Sequence, residues 1–223
     1  MPQTTMVCLA NSRKLGGRCV AGLAWDGNAY SVWIRPVSAN GSGELYAERL
    51  YNDRSDPQLL DVIDLSLSAS KPIGCHNEDI IVDASVTWQK REKLAYHEAL
   101  SMTSISSVPL WIDGRSSSNG LNDVIAQSVA ETLPNSLRLI CPDRLIMRAT
   151  AEYQNKRKVR GEFSLGHSSY ILSITDTKIE SEFLRYEVGT ERAVLKPLLC
   201  ISIGEVFDSR KACYKLIAGV IEG

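Results

Sequence analysis

The sequence predicts a mainly β protein: two small five-stranded Greek-key barrels joined by a helical linker. Three observations point there. Short apolar runs broken by Gly, Asn and Asp turns recur along the 223 residues. The order strand–strand–strand–helix–strand–strand occurs twice. No apolar run approaches the roughly 20 residues needed to cross a bilayer. Hydrophobic content is 44% and charged content 23%, ordinary for a globular chain.

The elements follow in order. Thr5–Asn11 is a β-like run, and 12–17 is a turn ending in two glycines. Arg18–Trp25 is a second strand, closed by the hairpin signal Asp26-Gly27-Asn28. Tyr30–Pro36 is a third, with Trp33 and Arg35 on one face because side chains alternate. Gly43–Leu50 has the spacing of a short helix. Leu59–Ser68 and Asp79–Trp88 complete the first set of five strands. Glu92–Met102 and Asn122–Thr132 read as linker helices, the latter capped by Asn122 or Asp123. The second set comprises 137–141, 144–153, 158–165, 169–175, 198–203 and 212–221, with a helix over 178–184. The expected divisions are 1–90, 91–136 and 137–223. Five strands with a helix between the third and fourth is the order of an OB-fold.

The words of the sequence carry a resemblance as well. They are Ser12-Arg13-Lys14, Gly17-Arg18-Cys19-Val20-Ala21-Gly22, Trp33-Ile34-Arg35-Pro36-Val37-Ser38 and Gly43-Glu44. Next come Leu110-Trp111, Gly120-Leu121-Asn122-Asp123 and Lys156-Arg157-Lys158-Val159-Arg160. The last are Ile174-Thr175-Asp176, 199–205 and Cys213-Tyr214-Lys215-Leu216. In this order, over nearly the whole chain, they resemble the dual OB-fold family of bacterial proteins, called dual OB domain-containing. The resemblance implies nucleic-acid or nucleotide binding and an association with anti-phage defence. It carries over no catalytic residue.

Charge is uneven along the chain. The formal net charge is −1. Between residues 138 and 160, Arg138, Arg144, Arg148, Lys156, Arg157, Lys158 and Arg160 face only Asp143 and Glu152, a local +5. A local basic face can hold phosphates even when the whole molecule is near neutral.

The expected nucleic-acid-binding set is therefore Arg13, Lys14, Arg18, Trp33, Arg35, Lys156, Arg157, Lys158, Arg160 and Lys215. Bases would stack on the ring while cations follow the phosphates. The competing reading makes Trp33 core, pairs Arg35 with Glu44 or Asp26, and leaves the hairpin tip as a solvated turn. A possible ligand loop runs through Ser117, Asn119, Asn122 and Asp123, where a serine-rich turn opening a helix would offer backbone N–H groups to an anion. It lacks the P-loop lysine, and a plain capped helix start is the alternative.

The six cysteines form no C-x-x-C pair and sit mostly in apolar runs, which reads as reduced, buried thiols. No metal and no cofactor is expected. G-x-S-x-G, H-E-x-x-H and a strand-borne G-x-G-x-x-G are all missing, so no catalytic set is assigned. The N-terminus lacks the pattern of a secretion signal, and the cytoplasm is the default. Nucleic acid is the expected partner. Alternatives are an adaptor for a nuclease or ATPase from a defence operon, and a nucleotide sensor.

Overall fold

Barrel one is a ring of five strands. In the computed structural model, which describes residues 3–104, 108–111, 113–152, 154, 156–207 and 209–223, it is built from β1 (Gln3–Lys14), β2 (Gly17–Trp25), β3 (Tyr30–Val37), β4 (Asp61–Ser70) and β5 (Asp79–Val82). The order around the ring is β1-β2-β3-β5-β4, and β4 returns to β1, Gln3 opposite Ser66 and Val7 opposite Val62. Only the β3–β5 pair is parallel. That is the OB topology. Strand β6 (Gln89–Lys93) continues β5 along β4. Met6, Cys8, Val20, Ile34, Leu65 and Trp88 fill the interior.

The second barrel uses β8 (Leu137–Ile140), β9 (Arg144–Ala151), β10 (Arg157–Leu165), β11 (Ser168–Ile174), β12 (Glu191–Leu195), β13 (Leu198–Ile203) and β14 (Ala212–Ile221). Seven strands make five walls, because two walls are broken in the middle. Glu191 lies opposite Arg148, Leu195 opposite Arg144, Leu199 opposite Ile140 and Ser202 opposite Leu137. The register is continuous across both breaks. It sets Pro142 against Pro197, and neither residue can donate to the ladder. So β8–β9 is one long first strand, β12–β13 is one long fourth strand, and the ring closes. Helix α3 (Thr177–Phe183) sits between the third and fourth walls, capped by Asp176, whose carboxylate accepts from Lys178 N and Ile179 N. Met147, Val159, Phe163, Tyr170, Leu172 and Ile217 form the core. Gly161 points inward, where a Cβ would come within 2.5 Å of Ile217 Cδ1.

The linker is less helical than expected. The chain from 92 to 102 gives the end of β6 and a five-residue helix α1 (Tyr96–Leu100). From 122 to 132 it gives β7 (Val124–Ala126) and a four-residue α2 (Gln127–Ala130). β7 pairs with β14, and Val124-Ile125 suit a pleat better than a helix. The expected helix at 43–50 is a 3-10 turn over Ala47–Arg49. The fifth strand stops at Val82 rather than Trp88. Tyr153, at the end of the expected strand 144–153, and Asn155, in the turn expected after it, lie outside the described residues.

The barrels meet through a third apolar layer. Val7, Leu9, Ala21 and Leu23, from the outside of β1 and β2, pack on Leu137, Leu139, Leu198, Cys200 and Ala218 from the outside of β8, β13 and β14. A Cβ on Gly219 would lie 2.2 Å from the carbonyl oxygen of Leu9. Arg13 N donates to Thr175 O at 3.0 Å, and Thr177 Oγ1 to Asn11 O at 3.2 Å.

Candidate nucleic-acid interface

The outer face of β9, β10 and β11 is set by alternation. On β9, Leu145, Met147 and Ala149 point inward, which turns Arg144, Ile146, Arg148 and Thr150 outward. On β10, Lys158, Arg160, Glu162 and Ser164 share the outer face. On β11, Ser169, Ile171 and Ser173 do so. Arg160 lies directly opposite Arg148 across the ladder. Like charges at such a pair repel, and each has its own acid. Arg148 Nε donates to Glu191 at 2.5 Å. Arg160 Nε donates to Glu152 Oε1 at 2.7 Å, with Asp123 Oδ2 at 3.7 Å from its other end. Lys158 Nζ is 3.3 Å from Glu152 Oε2. Burial acts to raise the Glu152 pKa, but the Arg160 hydrogen bond and both cations outweigh it and hold the carboxyl below its usual range.

Two shallow cavities open on this face and share Ile146 and Glu162. One, about 310 Å³, lies beside Arg144, Ser164 and Ser169. The other, about 210 Å³, lies between Arg148, Arg160, Thr150 and Asn119. The serine loop therefore borders the basic face. Leu121 exchanges backbone hydrogen bonds with Ile171 at 3.2 and 3.0 Å, and Asn122 Nδ2 donates to Ser169 O at 2.9 Å.

That loop does not offer open N–H groups as expected. Asp123 is buried and accepts from Ser117 N at 2.7 Å and Ser117 Oγ at 2.6 Å. The loop's own carboxylate takes the place an anion would have. Of its four named residues, Asn119 alone lines the cavity on the basic face.

The remaining expected residues scatter. Arg35 is 2% exposed and donates to Glu78 Oε1 and Ser136 Oγ, both at 2.6 Å, and to Asp79 Oδ1 at 3.2 Å. It does share a face with Trp33, but that face is turned toward the second barrel. Trp33 is half-buried in the layer between the barrels. Desolvation pushes Asp79 up to about 6, although Arg35 opposes it. Lys215 is 1% exposed, donates to Asn122 O at 2.8 Å, and is pushed down to about 8 by burial. Neither Arg35 nor Lys215 is on a ligand surface. Arg13 forks onto Glu180 at 2.8 and 2.9 Å, and Lys14 reaches Glu205 at 2.9 Å. Arg18 lies in the cleft between the barrels. Lys156 and Arg157 are exposed at the start of β10, Arg157 bonded to the carbonyl of Tyr186. Arg144, Ile146 and Arg148 were outside the expected set, although their alternation in Arg144-Leu145-Ile146-Met147-Arg148 is a readable signal.

A family model described as a dual OB-containing domain matches residues 4–220. The chain belongs to that family. No curated protein and no solved structure matches it. In this dual OB chain the β1–β2–β3 face of the first barrel is largely spent on docking, while the equivalent β9–β10–β11 face of the second stays open. Among the described residues no cluster of three or more His, Cys, Asp or Glu is placed to hold a metal ion, and no helix is long and apolar enough to cross a membrane.

Proposed function

We propose that this dual OB module binds nucleic acid across the outer face of β9, β10 and β11, as a non-catalytic component of a larger system. One observation carries the reading. This is the open one of two equivalent faces, and Arg144, Arg148, Lys156 and Lys158 stand exposed or half-exposed along it. Cations so spaced follow a phosphate backbone without base geometry. The face has no aromatic ring among its described residues, so guanidinium planes and the apolar patch of Ile146 and Ile171 would have to serve the bases. Exposed Glu162 and Glu191 temper the charge and favour release at physiological salt.

The test is labelled single-stranded DNA and RNA titrated against the full chain. Arg148→Glu with Lys156→Glu is expected to weaken binding by tenfold or more. Unchanged affinity in that variant removes the face from the proposal. A second reading, an adaptor for a protein partner in a defence system, is favoured by the internal pairing of Arg148, Lys158 and Arg160. Nuclease-resistant co-purification with neighbouring gene products, in place of nucleic-acid binding, is its expected signature.

A further inference from the structure

A cavity of about 670 Å³, larger than either on the basic face, lies between the barrels, and its size is that of a small-molecule site. The first barrel supplies Asn11, Arg18, Leu59 and Lys93. The second supplies Lys178 and Ile179 at the start of α3, Arg192, and Ile221 at the end of β14.

Among the described residues its polar groups are unevenly satisfied. The acids are all engaged: Asp56 with Arg49 at 2.5 Å, Asp176 with three backbone N–H groups, and Glu182 and Glu222 with Arg192 at 3.4 and 2.7 Å. Of the four cations Arg192 is paired with those acids, whereas Arg18, Lys93 and Lys178 are not. Arg18 donates to the carbonyl of its own neighbour Gly17 at 3.3 Å, and its Nε has no partner. Lys93 and Lys178 are exposed at the rim and form no ion pair among the described residues. Asn11 is 8% exposed; its Nδ2 donates to Pro57 O at 2.8 Å, and its Oδ1 is orphaned. Arg192 Nε is orphaned too. Buried polar atoms without partners are few in native proteins and call for an explanation. Three of them gather around this one cleft, beside an apolar floor of Leu59, Ile179 and Ile221.

We propose that the cleft between the barrels binds a mononucleotide, its phosphate held by Arg18, Lys93 and Lys178 and its base laid on the apolar floor. Asn11 Oδ1 then gains a donor from the base or sugar. The site is separate from the β9–β10–β11 face, so a bound nucleotide would bridge the barrels without competing for a strand.

Isothermal titration of AMP, and separately of inorganic phosphate, into the full chain tests this. AMP is expected to bind, and to lose at least tenfold in affinity in Lys178→Glu and in Arg18→Gln. Lys178 is exposed on α3, so its variant keeps the fold, which circular dichroism checks. Arg148→Glu, on the other face, is expected to leave AMP affinity unchanged. No heat with AMP, or affinity indifferent to both cleft substitutions, overturns the site. Phosphate binding as tightly as AMP overturns the nucleotide assignment.

Discussion

Arg35 owes its place to what it neutralises. Glu78 and Asp79 lie with it in the interior, and Ser136, at the threshold of the second barrel, accepts from the same guanidinium. Removing the cation leaves two buried carboxylates without compensation, so Arg35→Ala is expected to cost about 3–5 kcal/mol in denaturant unfolding. Lys215 carries a pH signature. Its folded pKa is about 8, below the ordinary lysine value, because it is buried. The unfolded chain then binds more protons between roughly pH 8 and 10, so stability rises with pH in that window. Relative to Lys215→Met, the wild type is expected to gain stability from pH 7.5 to 9.5; a flat difference contradicts the burial. Strand parity made it legible that Trp33 and Arg35 share a face. It could not show what that face meets, because the partner residues begin a hundred positions later.

Strands were more legible than helices. The runs at 198–203 and 212–221 have the bounds read from their apolar pattern. The helical reading of 122–132 failed because three residues gain more by pairing with β14 than by coiling alone, a long-range contact that local spacing does not contain. β12 went unread for the same reason: its short alternating Glu191–Leu195 becomes a strand only by extending β13 past Pro197 along β9. At the junction of the barrels, β14 lies backbone to backbone against β1 at Gly219 and Leu9. Gly219→Ala would drive a methyl group into the Leu9 carbonyl. It is expected to destabilise by about 1–3 kcal/mol in thermal or chemical unfolding, the range for overpacking a tight contact.

At the scale of the molecule, the apolar layer between the barrels makes them unequal. The segment between them takes part as well: Ala99 packs in that layer and Leu110 in the second core, with Leu110 N donating to Tyr170 Oη at 2.9 Å. We propose that the divisions 1–90, 91–136 and 137–223 unfold together. One cooperative transition by calorimetry is the expected result, and two separate transitions would contradict it. On the proposed reading the inequality leaves the outer face of β9, β10 and β11, within the charge run around 138–160, for a nucleic-acid strand. The most direct measurement is fluorescence anisotropy of labelled single-stranded DNA and RNA with the full chain from 50 to 300 mM salt. The account predicts a log-linear fall in affinity with salt, about 0.7 in slope per phosphate engaged, made shallower and weaker by Arg148→Glu with Lys156→Glu. An absence of binding at 50 mM salt, or binding that those substitutions leave untouched, would contradict it.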